Sequence, residues 1–319
     1  EIIAIPANGR GDKWEAQTGL KRMLSKEKYS FIELAYNFVS DNRHINQLAW
    51  NKITGEIDPT NTYNYRNSLI EHTPKTTVIL PDLGIFNIDI SAGWKHSIIK
   101  DRKETAQTNY EKSFNALVGE VRISLGEKLS KKAEHSIKYT INNQLPNMKQ
   151  LRSEVNNSNP YFISSGNPNL KASTIHKIWW KEQYRFNNYG HWINSELTLT
   201  FIKNSISNRN TYFGELTYLP DLKYTAIANS TLSSYDNLNG AWKADWALSW
   251  IYPIVNIKSN LDILFLNTYE HTPYYYDNIQ DIAEINSMRL GTRFSTNLIP
   301  RLRASVNWGI HYRQIGRAH

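Results

Sequence analysis

The residue types that most often carry catalysis or bind metals are scattered along this chain. It has nine histidines and no cysteine, and no two histidines stand at the His-x-x-x-His spacing of a helical zinc site. Neither the Gly-x-Ser-x-Gly turn of a serine hydrolase nor a phosphate-binding Gly-rich loop occurs. The acid pair Asp281 and Glu284 falls in a predicted loop, where solvated carboxylates are the ordinary outcome. We therefore expect no catalytic, cofactor-binding or metal-binding residue, and no enzyme.

One stretch carries side chains better suited to binding a ligand. Tyr274, Tyr275 and Tyr276 are consecutive in "YEHTPYYYDN" (269–278), and the pattern places them in a loop. Tyrosine rings stack on sugars and aromatic ligands, and they are frequent in rigid recognition surfaces. They serve equally well in loop packing or at a membrane interface. These tyrosines are candidate ligand-loop aromatics with that structural alternative open.

The elements that must position such residues show a two-residue period. In "LRASVNWGIHY" (302–312), large apolar side chains alternate with polar ones, and "WKADWALSWIY" (242–252) repeats the pattern with three tryptophans on one side. This alternation predicts strands with one apolar and one wet face. We count about eleven such strands of about ten residues, the length that a tilted transmembrane strand needs.

Composition favours lipid as the solvent of the apolar face. The chain has 19 Tyr, 10 Phe and 10 Trp, although its mean hydropathy is −0.55. Aromatic rings on a polar chain are typical of a membrane–water boundary. The net charge of +8 is spread over strands and loops, so anionic lipid headgroups are favoured over nucleic acid as the partner. The chain contains no run of about 18 apolar residues, which is the length that a membrane-spanning helix needs.

The predicted connections between strands also alternate in length. The short ones are 80–84, 129–134, 187–191, 252–258 and 298–301, and the long, polar ones are 41–65, 99–114, 145–173, 204–239 and 270–283. Short turns at one end and long loops at the other are the plan of an outer-membrane barrel. The sequence therefore predicts an all-β, antiparallel up-and-down transmembrane β-barrel.

One loop carries a family resemblance. The segment "QLPNMKQLRSEVNNSNPYFISSGNPNLKAS" resembles a loop of the outer membrane protein beta-barrel family of Bacteroidetes, whose members have a barrel like that of TonB-dependent receptors. The matching residues are Pro146, Leu151, Asn159, Pro160, Gly166, Asn167, Pro168, Asn169, Leu170 and Lys171. Ala172 and Ser173 depart from the Pro-Glu or Pro-Ser that the family usually has. Turn chemistry alone also explains these residues: Asn-Pro pairs start turns, and Gly166 permits a positive φ.

The resemblance implies a receptor in the outer membrane of a Gram-negative bacterium. Such barrels have 22 strands and a plugged lumen. The implied partners are outer-membrane lipid and lipopolysaccharide, an unknown extracellular ligand, and an inner-membrane energy-coupling protein that acts through a plug region missing here. Residues 1–313 would then be a partial barrel, a fragment of about half the strands. Since lipid cannot satisfy open strand edges, we expect this piece neither to insert nor to transport alone.

The end of the chain breaks the pattern. Alternation stops at Arg313, so residues 314–319 ("QIGRAH") are predicted to be a non-native or truncated tail. Three functions remain open: a barrel segment of a TonB-dependent-receptor-like uptake protein, a non-transporting barrel with an adhesin or assembly role, and a soluble β-sandwich carbohydrate-binding module.

Overall fold

The computed structural model describes residues 2–4, 8–51, 53–57, 62–103, 108–125, 132–186, 190–277, 279–297 and 304–318. The predicted turn at 298–301 and His319 lie outside these ranges, as do parts of the predicted turns at 129–134 and 187–191. Among the described residues, no helix is both long and apolar enough to cross a membrane.

Nearly all of the described chain is β-strand. The strands are β1 (Ile2–Ala4), β2 (Asn8–Ser25), β3 (Ser30–Gln47), β4 (Ala49–Asn51), β5 (Tyr63–Leu83), β6 (Phe86–Lys103), β7 (Thr108–Leu125), β8 (Ala133–Gln144), β9 (Phe162–Ser164), β10 (Ser173–Arg185), β11 (Trp192–Lys203), β12 (Ser205–Phe213), β13 (Thr217–Leu219), β14 (Tyr224–Ala226), β15 (Ser230–Leu238), β16 (Ala241–Ile254), β17 (Ser259–Tyr276), β18 (Ile279–Thr296) and β19 (Ala304–Ala318). A short helix, α1 (Met148–Leu151), and two 3-10 turns, η1 (Pro220–Leu222) and η2 (Val255–Ile257), complete the elements.

Twelve long strands of the described chain form one antiparallel meander. Their order is β2-β3-β5-β6-β7-β8-β10-β11-β16-β17-β18-β19, each antiparallel to the next. They run from 12 residues in β8 to 21 in β5, which is longer than the bilayer alone requires. The prediction of an all-β, up-and-down barrel sheet is confirmed, with twelve long strands in place of about eleven. In the described ranges β2 pairs with β3 alone and β19 with β18 alone, so this sheet is open.

The apolar residues share one face, which we call the outward face. Cross-strand partners lie on the same side of a sheet, and the pairs Leu20–Leu34 and Val78–Ile90 follow this rule. Large apolar side chains on this face are exposed in the chain as described, including Trp94 (52 %), Trp246 (41 %) and Trp308 (60 %). A soluble β-sandwich would cover such side chains with a second sheet. The outward face is therefore suited to lipid.

Aromatic rings mark both edges of the outward apolar band. On β16 the band runs from Trp242 to Tyr252. Ten residue steps at about 3.3 Å each, tilted by about 40°, give a height of about 25 Å, which is that of an outer-membrane apolar band. At one edge Trp242 stacks on Tyr269 and His271, with ring centroids 5.1 and 5.8 Å away. At the other edge the indole Nε1 of Trp250 donates to His191 Nε2 (3.0 Å).

The opposite, inward face is polar and carries ion pairs between neighbouring strands. Lys95 Nζ lies 2.7 Å from Glu71 Oε1, and Lys181 Nζ lies 3.0 Å from Glu134 Oε2. Thr268 Oγ1 donates to Asp245 Oδ1 (2.8 Å). A polar inward face behind an apolar outward face is the arrangement of a barrel with a hydrated lumen.

Several segments predicted to be loops are strands. Tyr274, Tyr275 and Tyr276 belong to β17, which pairs with β18 up to Tyr276–Ile279. The predicted irregular region 204–239 contains the antiparallel hairpin of β12 and β15, and β13 and β14 beside it. Alternation fails in both places because consecutive polar or aromatic residues interrupt it, while the backbone pairing continues.

Strand β19 also continues past Arg313, where alternation predicted its end. Backbone pairing with β18 reaches Ile282–Ala318. The pattern does change there, because Ile315 shares a face with His311 and Arg313 and is 66 % exposed. The boundary between a partial barrel (1–313) and a non-native or truncated tail (314–319) remains a prediction.

Candidate functional site

The segment 145–172, which connects β8 to β10, folds back onto the inward face of β5, β6 and β7. We call it the inner loop. Its Leu151 and Leu170 are 1 % and 0 % exposed and pack with Ile99 of β6 and Phe114 of β7. These contacts lie at the long-loop end of the sheet, where the strands extend beyond the apolar band. The inner loop therefore has its own small apolar core against the barrel wall.

An ion pair fixes the inner loop beside this core. The guanidinium of Arg152 donates to both carboxylate oxygens of Asp101 on β6, from Nε to Oδ2 (2.7 Å) and from Nη2 to Oδ1 (3.1 Å). It also donates to Asn67 Oδ1 on β5 (3.0 Å) and lies 3.3 Å from the centroid of the Tyr65 ring. The side chain of Asp101 is 5 % exposed and that of Arg152 is 19 % exposed. A two-point, largely buried Arg–carboxylate pair sets orientation as well as distance.

A second carboxylate ties the inner loop to the end of β5. Tyr65 donates its hydroxyl to Glu154, and Lys103 Nζ lies 3.1 Å from the same Oε2 oxygen. Tyr65 stands beyond the apolar band, and burial, followed by the adjacent Glu154, raises the pKa of its phenol. Tyr65 therefore remains a neutral donor at physiological pH.

Lysine 112 of β7 holds the other side of the inner loop through backbone carbonyls. Its Nζ donates to the carbonyl oxygens of Pro168 (2.5 Å) and Leu170 (2.7 Å), and the Tyr110 hydroxyl also donates to Pro168 O (3.2 Å). Lys112 lies beyond the apolar band, and burial lowers the pKa of its ammonium group. The two carbonyls satisfy donors that the protein would otherwise bury without partners.

The structure assigns local roles to several residues of the sequence motif. The Asn159 side chain accepts from the Tyr161 amide (3.0 Å), and the Asn167 side chain accepts from the Asn169 amide (2.9 Å), so both form turns on their own backbone. Pro160, between them, is exposed. In α1, the Asn147 and Gln150 side chains cap each other's backbone amides. No sequence pattern with a helical period predicted α1.

Glycine 166 is required for a different reason from the one expected. It is absent from the residues with positive φ. Instead, a Cβ placed there would lie 2.4 Å from the carbonyl oxygen of Arg152 and 2.7 Å from that of Gln150. The amides of Gly166 and Asn167 donate to these same two carbonyls, at 2.6 Å each. Glycine is required here because two backbone segments approach each other closely, and not because of a positive φ.

The inner loop is joined to the hairpin of β12 and β15. Strand β9 pairs in parallel with β15. Asn167 Nδ2 donates to Tyr235 O (3.0 Å), and the Asn237 side chain both accepts from Lys171 N (2.7 Å) and donates to Lys171 O (3.1 Å). Strand β12 in turn runs parallel to β17, beyond the point where β16 begins. The inner loop and this hairpin form one assembly at the long-loop end.

The candidate ligand aromatics behave differently from one another. Tyr274 is half-buried and donates to Asp281 Oδ2 (2.8 Å), whereas Tyr276 is 61 % exposed. Tyr275 is half-buried, with Arg209 of β12 5.3 Å from its ring centroid. Tyr161 (53 % exposed) and Phe162 (72 % exposed), on the inner loop, were not singled out from the sequence. Their position after Asn159-Pro160, a turn, was the signal that could have identified them.

Within the part of the chain that the structure describes, no three His, Asp or Glu side chains are grouped to bind a metal ion. The inner loop and the β12–β15 hairpin together present exposed aromatic rings, backbone groups and paired charges. Such groups are suited to contacting a ligand and fixing its orientation.

The chain was compared with protein families, curated protein sequences and solved structures. No family profile and no curated protein sequence matches the chain. Among solved structures, the ferric-catecholate import receptor Fiu from K12 E. coli matches with a TM-score of 0.52 and 10 % identity over 94 % of this chain and 50 % of that one. The Serratia marcescens hemophore receptor HasR, solved with its hemophore HasA and heme, matches with a TM-score of 0.53 and 9 % identity over 97 % of this chain and 59 % of that one.

The ferric enterobactin receptor PfeA from Pseudomonas aeruginosa is also similar, with a TM-score of 0.42 and 10 % identity over 88 % of this chain and 52 % of that one. The chain thus spans about half the length of such receptors. The fold it shares with Fiu and HasR is that of an outer-membrane β-barrel.

Proposed function

We propose that this chain forms about half of the barrel of a TonB-dependent-receptor-like protein that takes up a substrate across the outer membrane of a Gram-negative bacterium. The observation that carries the proposal is the twelve-strand meander whose apolar face is about 25 Å tall and whose polar face holds a folded inner loop. The similarity of this fold to those of Fiu and HasR supports it.

The inner loop supplies the ligand-facing part of the proposal. In the proposed orientation the long-loop end is extracellular, and the inner loop and the β12–β15 hairpin narrow the opening. Tyr161, Phe162 and Tyr276 contribute exposed rings there, suited to a planar or aromatic ligand. Ferric catecholates and haem, the ligands named for the similar receptors, are the first to test. The remaining proposed partners are outer-membrane lipid, lipopolysaccharide and an inner-membrane energy-coupling protein.

The orientation is testable because the chain contains no cysteine. In the full-length protein, Tyr161→Cys on the inner loop and Lys258→Cys on the β16–β17 turn each introduce one thiol into this region. A membrane-impermeant maleimide applied to intact cells should label the first variant and spare the second. Labelling of Lys258→Cys on intact cells, or absence of both variants from the outer-membrane fraction, would contradict the proposal.

Uptake is tested separately from location. Cells expressing the parent gene, and cells lacking it, receive radioactive iron as a ferric catecholate, or haem, with and without an uncoupler of the proton-motive force. Uptake that requires the gene and stops with the uncoupler is the expected result. A protein that sits in the outer membrane but supports no uncoupler-sensitive uptake of either probe would favour the non-transporting barrel.

A further inference from the structure

Four strands at the long-loop end form a mixed sheet that includes one strand of the inner loop. Strand β9 is parallel to β15, β15 is antiparallel to β12, and β12 is parallel to β17. Residues that are paired across strands project to the same side of a sheet. By this rule one side carries Phe162 of β9, Thr231 and Ser233 of β15, Asn210 and Tyr212 of β12, and Tyr276 of β17. We call these residues the mixed-sheet face.

The mixed-sheet face is open to solvent, whereas the opposite side of the sheet is covered. Along β12, exposed Asn210 and Tyr212 alternate with half-buried residues. On β9, Phe162 is 72 % exposed, and the next residue, Ile163, is 0 % exposed. Tyr276 belongs to the inward face of β17, so the mixed-sheet face is turned toward the mouth of the barrel.

Aromatic rings stand at the borders of the mixed-sheet face. Phe162 and Tyr212 are both paired with Thr231, so two strand spacings, about 9.6 Å, separate their backbones. Tyr276 lies on the next strand, beside Asn210. Tyr212 and Tyr276 are 53 % and 61 % exposed. Exposed rings therefore surround one patch of the sheet, and the separation of Phe162 from Tyr212 matches that of alternate sugar units in an extended oligosaccharide.

Uncharged polar side chains occupy the space between the rings. Asn210, Thr231 and Ser233 contribute one amide and two hydroxyl groups, each able to donate and to accept a hydrogen bond. Among the described residues, none of these three side chains hydrogen-bonds to another protein group. Arg209 lies on the opposite side of β12, with its Nη1 3.5 Å from Asp236 Oδ2. The mixed-sheet face therefore offers stacking and hydrogen bonds without a counter-charge.

These properties distinguish between classes of ligand. An anionic ligand would lose water on this face without gaining a cation as its partner. An aliphatic ligand would cover the amide and hydroxyl groups without satisfying them. A neutral saccharide avoids both costs, because its ring faces stack on aromatic side chains while its hydroxyls exchange hydrogen bonds with amide and hydroxyl groups.

We propose that the mixed-sheet face binds a neutral oligosaccharide, with alternate sugar units of an extended chain stacked on Phe162 and Tyr212. This inference rests on the proposed function, because the long-loop end must be extracellular for the site to meet a ligand outside the cell. It adds a saccharide to the iron ligands proposed for the same opening.

The test uses the full-length protein, purified from outer membranes in detergent. Binding of the neutral chains cellohexaose, maltohexaose, mannohexaose and xylohexaose, and of the acidic chain hexagalacturonate, is measured by isothermal titration calorimetry. At least one neutral chain should bind with a Kd below about 1 mM. Phe162→Ala and Tyr212→Ala should each weaken that binding about tenfold, the loss expected for one stacked ring.

Two control variants separate stacking from structural effects. Tyr212→Phe removes the hydroxyl that donates to Asn229 Oδ1 (2.7 Å) but keeps the ring, so it should recover most of the affinity that Tyr212→Ala loses. Tyr218→Ala truncates a ring that is 61 % exposed but belongs to the separate β13–β14 pair, so it should bind as wild type does. Equal losses in Tyr212→Phe and Tyr212→Ala would overturn the stacking role.

The outcomes also separate this inference from the proposed function. If no neutral chain binds at about 1 mM, or if both alanine variants bind as wild type does, the inference alone is overturned. Hexagalacturonate bound as tightly as the neutral chains would overturn the choice of a neutral ligand. If Tyr161→Cys is not labelled on intact cells, the proposed function fails, whatever the purified protein binds.

A third variant keeps the test decisive if an alanine variant does not fold, as shown by identical migration of heated and unheated samples. Asn210→Asp changes an exposed side chain without changing its size, removes a hydrogen-bond donor and adds a charge to the mixed-sheet face. It should weaken binding of the neutral chain about fivefold. Undiminished binding by this variant would overturn the proposal.

Discussion

The ion pair between Arg152 and Asp101 should contribute strongly to the stability of the inner loop. Replacing Asp101 with Ala leaves a guanidinium that is only 19 % exposed without its carboxylate. Breaking a buried pair in this way costs about 3–5 kcal/mol, and the partial exposure of Arg152 points to the low end, about 3 kcal/mol. The equilibrium for opening the inner loop should therefore shift about 150-fold, at about 1.4 kcal/mol per factor of ten.

Hydrogen exchange in the full-length protein measures this shift directly. The amides of Gly166 and Asn167 donate to Arg152 O and Gln150 O within the inner loop, so their protection reports its opening. Glu15→Ala is the control, because it removes an ion pair with Lys13 in which both side chains are more than half exposed. The reasoning is refuted if Asp101→Ala leaves these two amides as protected as in wild type, or if Glu15→Ala lowers their protection equally.

Three further substitutions test the apolar core of the inner loop, the close backbone approach at Gly166 and the outward face of the sheet. Gly166→Ala should expose the inner loop to protease while the barrel stays assembled, because the new Cβ would lie 2.4 Å from Arg152 O. Leu170→Ala should destabilise the loop by about 2–5 kcal/mol, seen as faster exchange, since that side chain is 0 % exposed. Trp246→Lys puts a charge mid-band on the outward face, so it should reduce the heat-modifiable, assembled fraction by a destabilisation of about 2–4 kcal/mol. Ala247→Lys, on the inward face opposite Glu196, should leave assembly unchanged.

The sheet and its faces could be read from the sequence because they depend on a local period. Every other residue from Trp242 to Tyr252 is apolar or aromatic, and that period identifies the outward face of β16. The assembly at the long-loop end could not be read in this way. Its contacts, such as Asn167 with Tyr235 and Lys171 with Asn237, join residues more than sixty positions apart and follow no repeat. Turn chemistry predicted a fixed loop at Asn159 and Asn167, but its docking site on β6 and β7 is set by tertiary contacts.

The stretch of tyrosines at 274–276 also could not be assigned correctly from the two-residue period. Pro273 and three consecutive tyrosines obscure the two-residue period, and the structure nevertheless continues β17 through Tyr276 before a turn at Asp277 with φ 47°. A row of basic side chains could not be predicted from the sequence either, because Arg10, His44, Arg66 and Arg102 become neighbours only when the strand register is known. Dispersed charge in a sequence can therefore still become a continuous surface across a sheet.

The pairing of β9 with β15, and of β12 with β17, has an evolutionary consequence. Extracellular loops of barrels are usually free to vary one at a time, since each is anchored only by its own two strands. Here the inner loop, the β12–β15 hairpin and the end of β17 share backbone ladders, so a length change in one removes partners from the other two. These three segments should be inherited together, and a related chain with a length change in one of them should also differ in the other two.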